Sequence, residues 1–151
     1  MLQEADNNKI TKTAKNPAGD LVKQSDPFME DLNIEPTKTT FGVRFHSTNG
    51  FMEIKGNSYP ENAIEFFQPL LDWVRNFTKA NRKPVRLVFK VNYFNTSSSK
   101  YIFKLMEIFH EYQKRGNKIE VQWQFFQGQE DMLETWQELM GELDMKYQVV
   151  K

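Results

Sequence analysis

The run Asn95-Thr96-Ser97-Ser98-Ser99-Lys100 places four hydroxyl side chains in succession, with an amide before them and an ammonium after. Three kinds of chemistry suit such a run. One hydroxyl can cap a helix by accepting from a free backbone amide. Several can hold an anion in a turn at the positive end of a helix dipole. Or one can accept a phosphoryl group, which adds a charge of about −1.5 to −2 and three acceptor oxygens where a helix start favours negative charge. A second candidate is Ser58-Tyr59-Pro60-Glu61-Asn62-Ala63. Ser58 and Glu61 have the spacing of a capping box and Pro60 suits a first helical turn, which leaves Tyr59 and Asn62 as recognition groups on a strand-to-helix loop.

The remaining polar groups support less. Glu130, Asp131 and Glu134 complement the dipole at the start of a helix. His46 and His110 belong to different elements with no acid at metal-ligand spacing, so both read as structural, and neither a metal nor a cofactor is expected. Glu107 and Glu111 could act as acid and base, but no nucleophile, histidine pair or glycine-rich phosphate loop accompanies them. The sequence therefore reads as non-enzymatic, without catalytic residues. The absence of cysteine excludes a disulfide framework, a thiolate metal site and a cysteine nucleophile.

These groups must be positioned by elements that hydrophobic periodicity reveals. Phe41–His46 and Phe51–Gly56 alternate around Asn49-Gly50, the signature of a hairpin. Val85–Tyr93 is rich in β-branched and aromatic residues and reads as an interior strand; Ile119–Phe125 alternates, and Tyr147–Val150 is a candidate last strand. Ala63, Phe66, Phe67, Leu70, Leu71, Val74 and Phe77 form a helical stripe, as do Ile102, Leu105, Met106, Phe109 and Tyr112, and then Met132, Leu133, Trp136, Leu139, Met140 and Leu143. Pro69 inside the first stripe predicts a kink near Glu65 or two short helices. Phe66, Leu70, Ile102, Leu105 and Phe109 are the predicted core.

The order β-β-α-β-α-β-α-(β) predicts an α/β fold: a mixed sheet of four to five strands with an N-terminal hairpin and about three helices packed on it. With 151 residues one domain is expected. Residues 1–31 carry only isolated apolar side chains and read as a flexible tail, with the folded domain over 32–151. Twenty basic residues balance twenty acidic ones, so no overall field favours nucleic acid or an anionic membrane. The N-terminus lacks a basic segment followed by an apolar one, and no run of about 18 apolar residues occurs; a soluble, cytoplasmic protein without membrane insertion is expected.

Several of these segments together carry a resemblance. Ile34-Glu35-Pro36-Thr37, Gly56-x-Ser58-Tyr59-Pro60-Glu61-Asn62-Ala63, Tyr93-Phe94-Asn95-Thr96-Ser97-Ser98-Ser99-Lys100, Trp123-x-Phe125 and Glu130-Asp131-Met132-Leu133-Glu134 occur in order over about residues 32 to 150. In these the chain resembles the SiaC family of bacterial regulatory phosphoproteins, which are similar in fold and logic to anti-sigma-factor antagonists of the STAS type. The resemblance implies a phosphorylation-switched adaptor. Unmodified, it would bind and regulate an effector, with activation of a diguanylate cyclase, and so control of cyclic di-GMP and aggregation, as the leading case. A protein kinase and a PP2C-type phosphatase would reset it. By motif the phosphoacceptor falls on Thr96, and Tyr59, Glu61, Asn62, Asn95, Ser97 and Ser98 flank it as partner-binding residues. Without that resemblance, a domain holding a small ligand or anion in the Asn95–Ser98 turn is the rival reading.

Overall fold

The computed structural model describes residues 29–151. Alternation and periodicity resolve into β1 (Leu32–Ile34), β2 (Gly42–Phe45), β3 (Phe51–Ser58), α1 (Ala63–Ala80), β4 (Val85–Phe94), α2 (Thr96–Lys114), β5 (Ile119–Gln124), α3 (Glu130–Leu143) and β6 (Gln148–Val150). The strands lie in sequence order in one sheet, β1 and β2 antiparallel to their neighbours and β3 to β6 parallel. Six strands form where four to five were expected. The extra one, β1, is a three-residue edge strand, too short to show a period, that pairs Leu32 and Ile34 with Phe45 and Val43.

A turn that only glycine fits joins β2 to β3. Gly50 has φ +73°, and a Cβ there would lie 2.1 Å from the Pro84 carbonyl oxygen. The close approach lets the Gly50 carbonyl accept from the Arg86 amide at 3.0 Å, so the hairpin is tied to the start of β4.

Because each crossover advances one strand in the same direction, right-handedness places all three helices on one face of the sheet. The core lies between these layers. Leu70, Ile102, Leu105 and Phe109 are buried as expected, beside Phe67, Phe77, Phe89, Trp123 and Trp136. Phe66 is a correction: it is half-buried at the rim, its ring 5.1 Å from that of Phe67, because it sits on the shoulder of the stripe rather than at its centre. The opposite sheet face is polar, with Lys90 paired to Glu53 at 3.0 Å and Arg86 near Glu120 at 3.9 Å.

Pro69 does not divide the first helix. α1 runs unbroken through it. Proline removes the amide that would bond the Glu65 carbonyl, but Glu65 and Pro69 both lie on the exposed face, where water can satisfy that carbonyl.

Residues 1–28 of the expected tail lie outside the described residues, but Met29–Asp31 are attached to the domain. Met29 packs against the core, its carbonyl accepts from the Ser47 hydroxyl, and the Glu30 carbonyl accepts from Nε1 of Trp73 at 2.8 Å. Asp31 accepts from the Ser47 amide at 2.9 Å and lies 3.1 Å from Nδ1 of His46. These bonds, the Ser47 amide first and His46 second, hold the Asp31 carboxyl below its usual range. A depressed folded-state pKa contributes stability above the unfolded value and loses it as pH falls through the folded one. Asp31→Asn should therefore lower stability by about 0.5–1 kcal/mol near neutrality, a modest effect because the pair is half-exposed. In urea titrations the difference from wild type should shrink below about pH 4.

Candidate functional site

Parallel strands followed by helices bring the ends of β3 and β4, and the starts of α1 and α2, to one edge of the sheet. Both sequence-predicted segments meet there. The Ser58 carbonyl accepts from the Asn95 amide at 3.0 Å and from the Ser98 hydroxyl at 3.0 Å, and the two serine hydroxyls lie 2.7 Å apart.

That link changes the roles assigned to both serines, and the loop between Ser58 and α1 is read differently as well. Ser58 is the last residue of β3 and fully buried, so the Ser58–Glu61 capping box does not form, and Pro60 lies in the loop rather than in a helical turn. The cap of α1 is Asn62, whose Oδ1 accepts from the Glu65 amide at 3.2 Å. Asn62-x-x-Glu65 has the same spacing as Ser58-x-x-Glu61, and the later pair wins because Ser58 is held in the strand. Ser98 is likewise fully buried and cannot contact a partner, which corrects its assignment. It is a bolt between two loops. Ser98→Ala should cost about 1–3 kcal/mol by leaving buried polar groups short of a partner, whereas Ser97→Ala, at an exposed position, should stay within about 0.5 kcal/mol of wild type in the same melts.

The cap of α2 is also an asparagine rather than one of the hydroxyls: Oδ1 of Asn95 accepts from the Ser98 amide at 2.9 Å. This leaves an anion one fewer amide to bind and weakens the small-ligand reading of the turn. Ser99 turns its hydroxyl back to the Thr96 carbonyl at 2.8 Å. Thr96 and Ser97 remain exposed, and no hydrogen bond from the described residues reaches the Thr96 hydroxyl.

Charge at this helix start is unusual among the described helices. α1 carries Glu65 in its first turn and α3 carries Glu130 and Asp131, but α2 carries no acid there. Its dipole is uncompensated where Thr96 sits, and Lys100 stands one turn on, at i+4. Tyr59, Glu61 and Asn62 are exposed on the neighbouring loop of the same edge, and Tyr93, which the sequence reading did not single out, is exposed beside Tyr59 with ring centroids 6.0 Å apart.

A cleft of about 760 Å³ lies elsewhere, at the C-terminal ends of α1 and α2, lined by Arg75, Lys79, Arg82 and Arg115. Cations at helix C-termini answer the negative ends of the dipoles, and Arg115 donates to the Thr78 carbonyl at 3.0 Å. Among the described residues no cluster of three or more His, Cys, Asp or Glu could hold a metal ion, and no helix is long and apolar enough to cross a membrane.

An α/β domain with its helices on one face, presenting an exposed threonine at an acid-free helix start, has the layout of a regulatory interaction module. Known proteins give that class its family. The model of the SiaC family of regulatory phosphoproteins matches residues 34–151, and the chain belongs to that family. An uncharacterised protein of Pseudomonas aeruginosa (strain UCBPP-PA14) is 27% identical over 121 residues, covering 80% of this chain and 96% of the relative. The crystal structure of apo-SiaC from P. aeruginosa superposes with a TM-score of 0.76 at 26% identity, covering 82% of this chain and 100% of that one. A second similar structure, with a TM-score of 0.75 at 27% identity over 80% of this chain and 98% of that one, is from the complex of the diguanylate cyclase SiaD with its activator SiaC, also from P. aeruginosa. The fold expected from sequence is thus that of the family.

Proposed function

We propose that this regulatory protein activates a diguanylate cyclase in its unmodified form and that phosphorylation of Thr96 releases the cyclase. A protein kinase adds the phosphoryl group, a PP2C-type phosphatase removes it, and the protein itself carries out no chemistry in the cytoplasm where the cycle runs. The observation that carries the reading is the Thr96 hydroxyl, exposed and without a bond from the described residues, at the one α-helix start among them whose first turn lacks an acid. Kinship supports the partner, because a similar protein is the activator in a complex with a diguanylate cyclase.

A kinase must bring the hydroxyl within attack distance of a γ-phosphate, and the exposure of Thr96 permits that. Asn95, Ser97, Tyr59, Glu61 and Asn62 surround it as contacts for whichever partner is bound. Asn95 and Asn62 each use Oδ1 as a cap, so what they offer a partner is the amide nitrogen. Intact-mass and peptide mass spectrometry of protein taken from its own cells should find one added phosphoryl group on Thr96. A phosphoryl group confined to Ser97 or Ser99, or a bound metabolite with no phosphopeptide, would refute the assignment.

A further inference from the structure

Along β4, Val85, Leu87, Phe89 and Val91 alternate inward and are buried. Continued alternation would turn Tyr93 toward the helices and Phe94 to solvent. The structure does the reverse. Gly56 pairs with Val91 and Asn57 with Tyr93, so Asn92 is an extra residue, a β-bulge that reverses the side-chain phase. Beyond it Phe94 is 3% exposed and Tyr93 46%. Gly56, with φ +95°, lies opposite the irregularity.

The bulge thus places an aromatic ring in water three residues before Thr96, against the ring of Tyr59, itself 44% exposed. Both mounts are fixed. The Tyr59 amide donates to the Thr39 carbonyl at 2.8 Å, and Tyr93 stands between the bulge and the capped start of α2. Of the four exposed large hydrophobic residues among those described, Tyr59, Ile64 and Tyr93 lie at this edge and only Val149 elsewhere. Tyrosine rings carried on a fixed backbone have few torsions to lose on binding, and tyrosine is over-represented among residues that dominate interface energetics.

We infer that Tyr59 and Tyr93 form the apolar anchor on which the effector docks, an apolar side chain of the cyclase lying over the paired rings, with Thr96 at the rim of the same contact. This rests on the proposed function and divides it into parts. The ring pair supplies affinity, and the charge state of Thr96 decides whether that affinity can be used. The occupant is the cyclase of the proposed function, because a similar protein is the activator in a complex with a diguanylate cyclase, and any partner seated on the rings would have to desolvate a dianion on Thr96.

Calorimetric titration of the cyclase with the full chain tests this. Tyr93→Ala should weaken binding at least tenfold with an unchanged melting midpoint, because the lost ring is half in solvent. Tyr93→Phe should bind within about threefold of wild type, since the ring and not the hydroxyl is the anchor. If wild type binds and is released by phosphorylation but Tyr93→Ala binds equally well, the inference is wrong and the proposed function stands. If wild type does not bind the cyclase, the proposed function itself fails. A loss in Tyr93→Ala that sedimentation traces to a change in self-association, with a second copy of the chain on the rings, would also overturn the inference.

Discussion

Protein carrying phosphothreonine at position 96 should bind its effector more than a hundredfold more weakly than unmodified protein, with unchanged circular dichroism and a melting midpoint no lower. The two halves of this expectation have one cause. A dianion at the start of α2 meets open helix amides and no acid, with Lys100 one turn away, so within the domain it is well placed. A partner surface that closes over a neutral threonine must instead strip water from that dianion. Desolvating an ion costs several kcal/mol unless a counter-ion pairs with it, and about 3 kcal/mol already corresponds to more than a hundredfold in affinity. Release accompanied by loss of helical signal would mean that phosphorylation acts by unfolding, against the electrostatics of this helix start.

Phe109→Ala should destabilise the domain by about 3–5 kcal/mol, the usual cost of truncating a buried aromatic. Phe109 lies in the α2 stripe with Ile102, Leu105 and Met106 and is fully buried. Chemical denaturation should show the midpoint falling with little change in slope, because the surface exposed on unfolding is nearly the same. A change below 1 kcal/mol would place the residue outside the core.

Much of this fold was readable because its signals are periodic. Phe51–Gly56 and Ile119–Phe125 alternate, three stripes keep helical spacing, and Asn49-Gly50 marks the hairpin whose glycine the Pro84 carbonyl makes indispensable. β1 escaped because three residues carry no period and it is held to β2 by backbone pairing. Ser58 and Ser98 were misread for a different reason. A serine at an element boundary can cap a helix or be buried against another polar group, and only the approach of two loops distant in sequence makes them partners. Thr96 was singled out by its place in the family motif, and what the geometry adds is that its side chain is exposed. Tyr93 was hidden by a bulge in a strand with neither Gly nor Pro; Gly56 on the neighbouring strand, at a position that alternation would otherwise fill, was the one local signal of irregularity.

Cyclase turnover with three forms of the protein tests the central claim most directly: unmodified, phosphorylated at Thr96 alone, and Thr96→Ala. Unmodified protein and Thr96→Ala should both stimulate product formation, while the phosphorylated form should leave the cyclase at its unstimulated rate at concentrations where the others saturate. Equal stimulation by the phosphorylated and unmodified forms would contradict the account.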